Sequence, residues 1–132
     1  MREDSENPVY YVQYAHARIC TLLKNLAADG HTVPSPDAVD FSLLTDPTEL
    51  ALIKQIAGYS DIVRLAARDY DPSFINRYLT DLAAAFHKFY NACRIKGEDE
   101  AVIDARLKLA SATRQVLANG LKVIGCSAPE KM

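Results

Sequence analysis

Cysteine, glycine clusters and long apolar runs are scarce in this chain of 132 residues, and each scarcity removes a class of explanation. Its three cysteines, Cys20, Cys93 and Cys126, are an odd number, lie far apart and form no CxxC pair. That argues against both a disulfide framework and a zinc cluster, and makes reduced thiols the default. Gly30, Gly58, Gly97, Gly120 and Gly125 fall at expected helix ends or bends, so there is no glycine-rich loop to cradle a phosphate. No run of about 18 apolar residues occurs, nor an apolar region ahead of a small-residue cleavage site. The expectation is a cytoplasmic chain with no membrane partner. No serine or cysteine is marked by a histidine with a third orienting group, so no catalytic residue is expected. Alternating strand patterns joined by hairpin turns are missing as well.

A strongly basic balance is also lacking: the formal net charge is −2. The average hides an asymmetry. Residues 1–71 hold 6 Lys/Arg against 11 Asp/Glu, a net of −5, whereas residues 72–132 hold 9 against 6, a net of +3. The basic half has enough cations to line a phosphate path, although solvated helix faces give a bias of the same size.

What is present is helical periodicity in a chain that is 49% hydrophobic, enough for one domain with a real core. Residues 1–6 are charged and aperiodic and read as a lead-in, the cut end of a longer protein, with the domain proper at 7–132. Asn7 is a good N-cap and Pro8 suits a first turn, so the first helix is expected from Pro8 to about Ala28, stopping at Gly30. Val9, Val12, His16, Ile19, Leu22, Leu23 and Leu26 share its apolar face. Residues 31–46 read as a long crossing loop pinned by Phe41, Leu43 and Leu44. Asp46-Pro47-Thr48-Glu49 has the cap, proline and acidic third position of a helix start, and Gly58 ends that helix. Ser60 opens a short helix closed by Tyr70 and Asp71-Pro72. A long helix then runs to about Arg94, with Gly97 as its stop. The last helix begins near Glu98 and is expected to bend or restart at Asn119-Gly120. The fold predicted is an all-α bundle of about five helices without internal repeats.

One flank of the first helix carries chemistry. With Tyr11 at zero, Tyr14 lies at roughly −60° and Arg18 at roughly −20°, on a stripe beside the apolar face. Two phenols and a guanidinium on one edge suit a flat, polar partner such as an RNA base splayed from a loop. The same residues also read as the wet rim of a core face. His16 and Cys20 have the i, i+4 spacing of metal ligands, but no second pair accompanies them, so no metal site is expected and His16 reads as a hydrogen-bonded core histidine. His87, between Phe86 and Lys88, reads as a packing or RNA-facing group.

The string Asn7-Pro-Val-Tyr-Tyr-Val-Gln-Tyr-Ala-His-Ala-Arg18 closely resembles the motif that opens the C-terminal anticodon-binding domain of bacterial-type arginyl-tRNA synthetases. Residues Tyr78-Leu-Thr-Asp-Leu-Ala-Ala-Ala-Phe-His-Lys-Phe-Tyr-Asn-Ala-Cys-Arg94 are similar to that family's central helix. Ala112-Thr-Arg-Gln-Val-Leu-Ala-Asn-Gly-Leu-Lys-Val-Ile-Gly125 is similar to its last helix, and the terminal methionine is the family's usual ending. The resemblance covers nearly everything from Asn7 onward and is weakest between Gly30 and Asp46. It implies the five-helix anticodon-binding bundle of class Ia aminoacyl-tRNA synthetases.

By that resemblance, Tyr11, Tyr14, Arg18, Tyr90 and Met132 face the anticodon loop of an arginine tRNA. Arg77, Lys88, Arg94, Arg114 and Lys131 are weaker phosphate candidates; Lys131 stands where the family more often has arginine, which puts a bidentate phosphate contact there in doubt. The implied partners are arginine tRNA and the catalytic domain of a parent chain. The implied cofactors, ATP and magnesium, belong to that parent and none to this fragment, which lacks the histidine- and lysine-containing ATP motifs of class I synthetases. Every arginine codon has G in the middle, so the middle anticodon base is always C and is the natural determinant. The rival expectation is a helical protein-interaction bundle whose partner interface uses the same Tyr and Arg groups.

Overall fold

The computed structural model describes residues 8–31, 41–69, 73–93 and 100–125. These form five α-helices and one short 3-10 turn: α1 (Pro8–Ala28), the turn Phe41–Leu43, α2 (Pro47–Ala57), α3 (Tyr59–Asp69), α4 (Ser73–Ala92) and α5 (Glu100–Val123). Among the described residues there is no strand, so the all-α expectation holds.

The core is organised around α4. Its Leu79, Leu82, Ala83, Phe86 and Phe89 are fully buried, and removing each large apolar side chain from water contributes about 1.5–3 kcal/mol. The helix α1 runs parallel to α4 along one side: Val9 lies with Asn76 and Leu79 at one end, and Arg18 meets Tyr90 at the other. The helix α5 is antiparallel to both. Its Ile103 and Leu107 pack on Leu26 at the far end of α1, and Leu121 and Ile124 return to Val9 and Val12. On the opposite side of α4, Tyr78 donates its hydroxyl to the Gln55 carbonyl and packs its ring 5.7 Å from Tyr59, which holds α2 and α3 in place. Burial pushes the Tyr78 phenol well above its ordinary pKa, so the donor stays protonated.

The start of α2 is fixed by a complete capping box. Asp46 accepts from the Thr48 N–H at 2.9 Å, and Glu49 accepts from the Asp46 N–H at 3.1 Å. Sequence spacing gives that much but not the second role of Glu49. Fully buried, its other oxygen accepts from Arg106 Nε of α5 at 2.9 Å. The Thr48 hydroxyl also lies 3.6 Å from Cys93 Sγ, just past the end of α4. One polar cluster therefore ties α2, α4 and α5 together.

Two expectations are corrected. The last helix does not restart at Asn119-Gly120 but runs unbroken to Val123. Gly120 is there for close approach: a Cβ on it would lie 2.5 Å from Leu79 Cδ2. Of the apolar residues expected to pin the crossing loop, Leu44 is buried, but Leu43 is 37% exposed and does not serve as an anchor. The Asn7 cap, most of the crossing loop, the Tyr70 to Pro72 junction and Gly97 lie outside the described residues.

Candidate nucleic-acid interface

The candidate interface lies where the second half of α1 runs beside the end of α4. Val12, Ala15 and Ile19 face inward and are buried, which fixes the rotation of α1 and turns Tyr14 and Arg18 to the surface. His16 is buried as expected of a core histidine, with Cys20 Sγ 3.8 Å from its Nδ1. Among the described residues no group of three or more His, Cys, Asp or Glu is gathered that could hold a metal ion.

On α4, Phe86, His87 and Tyr90 occupy neighbouring turns and meet α1. Tyr90 packs on the buried Phe86 ring at 6.2 Å. The same ring receives the Arg18 guanidinium, whose Cζ stands 4.9 Å from the ring centroid. A cation over an aromatic face at that distance contributes about 0.5–1 kcal/mol at an exposed site. No carboxylate among the described residues pairs with Arg18, so its N–H groups remain available to an incoming acceptor.

Between these groups is an open surface cleft of about 300 Å³, at the lower end of the range for ligand sites. Ala17 and Leu22 supply its apolar contact surface, Tyr14, Arg18 and Tyr90 its aromatic and cationic groups, and Thr21 and Asn25 continue it along α1. Tyr14 is 42% exposed, enough to offer its ring face to a flat partner. Stacking, charge and hydrogen-bonding capacity are therefore brought within one concavity.

Not every expected residue joins it. Tyr11 is turned from the cleft toward His87, with ring centroids 5.6 Å apart, and packs on the core; burial raises its phenol pKa. Lys88 lies on the other flank of α4, lining a separate groove with Pro47, Thr48 and Ala51 of the α2 side. Arg77 is exposed near the start of α4, 13 residues and about 20 Å along the axis from Tyr90. Arg114 of α5 is half-buried, and its Nε is buried with no hydrogen-bond partner among the described residues. Arg94, Lys131 and Met132 lie outside the described residues.

His87 joins the network by contacting both Tyr11 and Phe86. Burial, and secondarily the positive charge of Arg18, hold its pKa below the ordinary histidine value. The imidazole is therefore neutral at pH 7, and Arg18 is the cation of the cleft.

Residues 12–132 match the DALR anticodon binding domain family. The chain belongs to that family. It is 48% identical over its full length to the arginine–tRNA ligase of Ruminiclostridium cellulolyticum and 46% identical to that of Acetivibrio thermocellus, covering 23% of each relative. Among solved structures, the arginyl-tRNA synthetase of Thermus thermophilus has a TM-score of 0.78 and 32% identity, over 92% of this chain and 21% of that one. The chain thus spans about a quarter of the length of the curated relatives it matches. No helix among the described residues of this DALR domain is long and apolar enough to cross a membrane.

Two groups lining the DALR cleft, Thr21 and Asn25, were not singled out from the sequence. The signal was available: they follow Tyr14 by 7 and 11 residues, the spacing of one helix edge.

Proposed function

We propose that this chain binds the anticodon loop of an arginine tRNA through the α1–α4 cleft, as the anticodon-binding part of a longer arginine–tRNA ligase. The observation that supports it most is the grouping of exposed Tyr14, an Arg18 with no acidic partner among the described residues, and Tyr90 beneath that guanidinium, in a chain of the DALR family. Bases splayed from an RNA loop are held by stacking on aromatic rings or guanidinium planes and by hydrogen bonds to their edges, and the cleft offers both. Tyr14 and Tyr90 take the stacking role and Arg18 the edge or phosphate contact. Tyr11 acts behind them as a support for His87, and Met132 closes over a base as a soft apolar cap. Ligation of L-arginine with ATP and magnesium belongs, on this reading, to the rest of such a protein.

The middle anticodon base, always C for arginine, is the determinant. The test is the affinity of the chain for an arginine anticodon stem-loop and for the same hairpin with the middle C changed to A, across a salt series. A preference for C of about 1 kcal/mol or more, with affinity falling steeply as salt rises, is the expected result. Equal affinity for both hairpins would reduce the cleft to a phosphate platform, and absence of binding at low salt would favour a protein-interaction surface.

A further inference from the structure

The cleft is longer than the grouping of Tyr14, Arg18 and Tyr90 requires. From Tyr14 to Asn25 it follows α1 for 11 residues, about 16 Å of helix axis, and Asn25 lies two turns, about 10 Å, beyond Arg18. A single base seated on Tyr14 does not reach that far. With Tyr14 at zero, Arg18, Thr21 and Asn25 lie at roughly 40°, −20° and 20°, one continuous polar stripe on the same edge.

The two distal groups are uncommitted among the described residues. The Thr80 and Thr113 hydroxyls are each tied back to the carbonyl four residues earlier, at 2.9 Å. No described residue bonds the Thr21 hydroxyl or the Asn25 carboxamide, so both retain hydrogen-bonding capacity toward an occupant. Leu22, half-buried beside them, supplies an apolar wall. A carboxamide offers one acceptor and a two-proton donor side by side, which matches the N3 and exocyclic amino group of cytosine or the N3–H and carbonyl of uracil; a hydroxyl matches a ribose 2′-OH.

We infer that Thr21 and Asn25 form a second nucleotide subsite, in which Asn25 hydrogen-bonds the base edge, and Thr21 the ribose, of the nucleotide next to the one held by Tyr14, Arg18 and Tyr90. This rests on the anticodon-binding reading above and extends it from one base to two neighbouring ones. Arg18, between the two positions, contacts the phosphate that joins them.

The test pairs side-chain removal with base removal. The chain, Tyr14→Ala and Asn25→Ala are titrated with an arginine anticodon stem-loop and with a set of the same hairpins, each abasic at one loop position. Asn25→Ala weakens the intact hairpin about fivefold, and that factor vanishes for one abasic hairpin only. The position concerned neighbours the one that cancels the Tyr14→Ala effect. Asn25→Asp, similar in size but lacking the donor, weakens binding at least as much, and Thr21→Val removes the penalty of a 2′-deoxy substitution at the same nucleotide. Asn25 is exposed and alanine favours helix, so matching thermal melts confirm that the fold is kept. Asn25→Ala with unchanged affinity, or with the same loss on every hairpin, overturns the subsite. If Tyr14→Ala keeps its position-dependent loss in that event, only the subsite falls; if it too has no positional effect, the reading of the cleft falls with it.

Discussion

Replacing Arg18 separates charge from shape in the cleft. Its guanidinium is exposed, lacks a carboxylate partner among the described residues and stands 4.9 Å from the Tyr90 ring centroid. Arg18→Gln removes the charge while keeping a polar stem. A hydrogen bond to a charged group is worth about 1.5–3 kcal/mol, so about 2 kcal/mol of binding, roughly thirtyfold in affinity, is expected to be lost at low salt. With one phosphate contact gone, the slope of log affinity against log salt becomes shallower by about 0.7. Arg18→Lys keeps the charge but not the planar fork or its packing on Tyr90. Its slope therefore stays that of the parent, while affinity falls by about 1 kcal/mol. Lys88→Ala, on the far flank of α4, serves as the control and leaves affinity within about twofold. Fluorescence anisotropy with a labelled stem-loop at five or six salt concentrations measures both quantities. Arg18→Gln with the parental slope, or Arg18→Lys binding like the parent at every salt concentration, would rule out a planar, charged contact at this position.

Three further expectations concern the scaffold. In Gly120→Ala the new Cβ meets Leu79 Cδ2, Cδ1 and Cγ at 2.5, 3.0 and 3.1 Å; rotation about χ2 moves the two Cδ atoms but leaves Cγ where it is, and Leu79 is fully buried. An overpacking cost of about 1–3 kcal/mol then outweighs about 1 kcal/mol of helix propensity, and urea unfolding should show a net loss, against the gain that propensity alone predicts. Glu49→Ala removes the acceptor of Arg106 Nε and of the Asp46 N–H and is expected to cost about 3 kcal/mol, whereas Glu49→Leu with Arg106→Met costs clearly less; equal losses would contradict the pairing. For His87 the folded pKa is depressed, so below about pH 6.5 the unfolded chain binds more protons than the folded one. The stability it contributes is present in full above that unfolded value and is lost as pH falls through the folded value. Between pH 7.5 and pH 5, the melting temperature of His87→Gln should fall less than that of the parent, and parallel curves would refute the assignment.

The helices were legible because their punctuation is local. Pro8 and Gly30 bracket α1, Asp46-Pro47 and Gly58 bracket α2, and the apolar faces follow from periodicity alone. Gly120 misled because its reason is tertiary. A glycine inside a helical pattern reads as a break, and only the position of Leu79 on another helix shows that it permits close packing. The Glu49–Arg106 pair, 57 residues apart, was hidden for the same reason. In the cleft, helical phase correctly placed Tyr14 and Arg18 on one edge but set Tyr11 there too. Phase fixes the direction of a Cα–Cβ bond, not the neighbour that captures the side chain, and His87 captures Tyr11. That Tyr90 sits beneath Arg18 depends on α4 lying parallel to α1, which periodicity does not give; resemblance to the family supplied the residue but not the contact.

On the proposed function, the cleft between α1 and α4 is the face that meets RNA. Backbone amide chemical-shift mapping of the isotope-labelled chain during titration with an arginine anticodon stem-loop tests it most directly. The shifts are expected to concentrate on Tyr14 to Asn25 of α1 and on His87 and Tyr90 of α4, and to leave α3 and the exposed face of α2 unmoved. Shifts centred on the groove of Pro47, Ala51 and Lys88, with Tyr14 and Arg18 unperturbed, would contradict it.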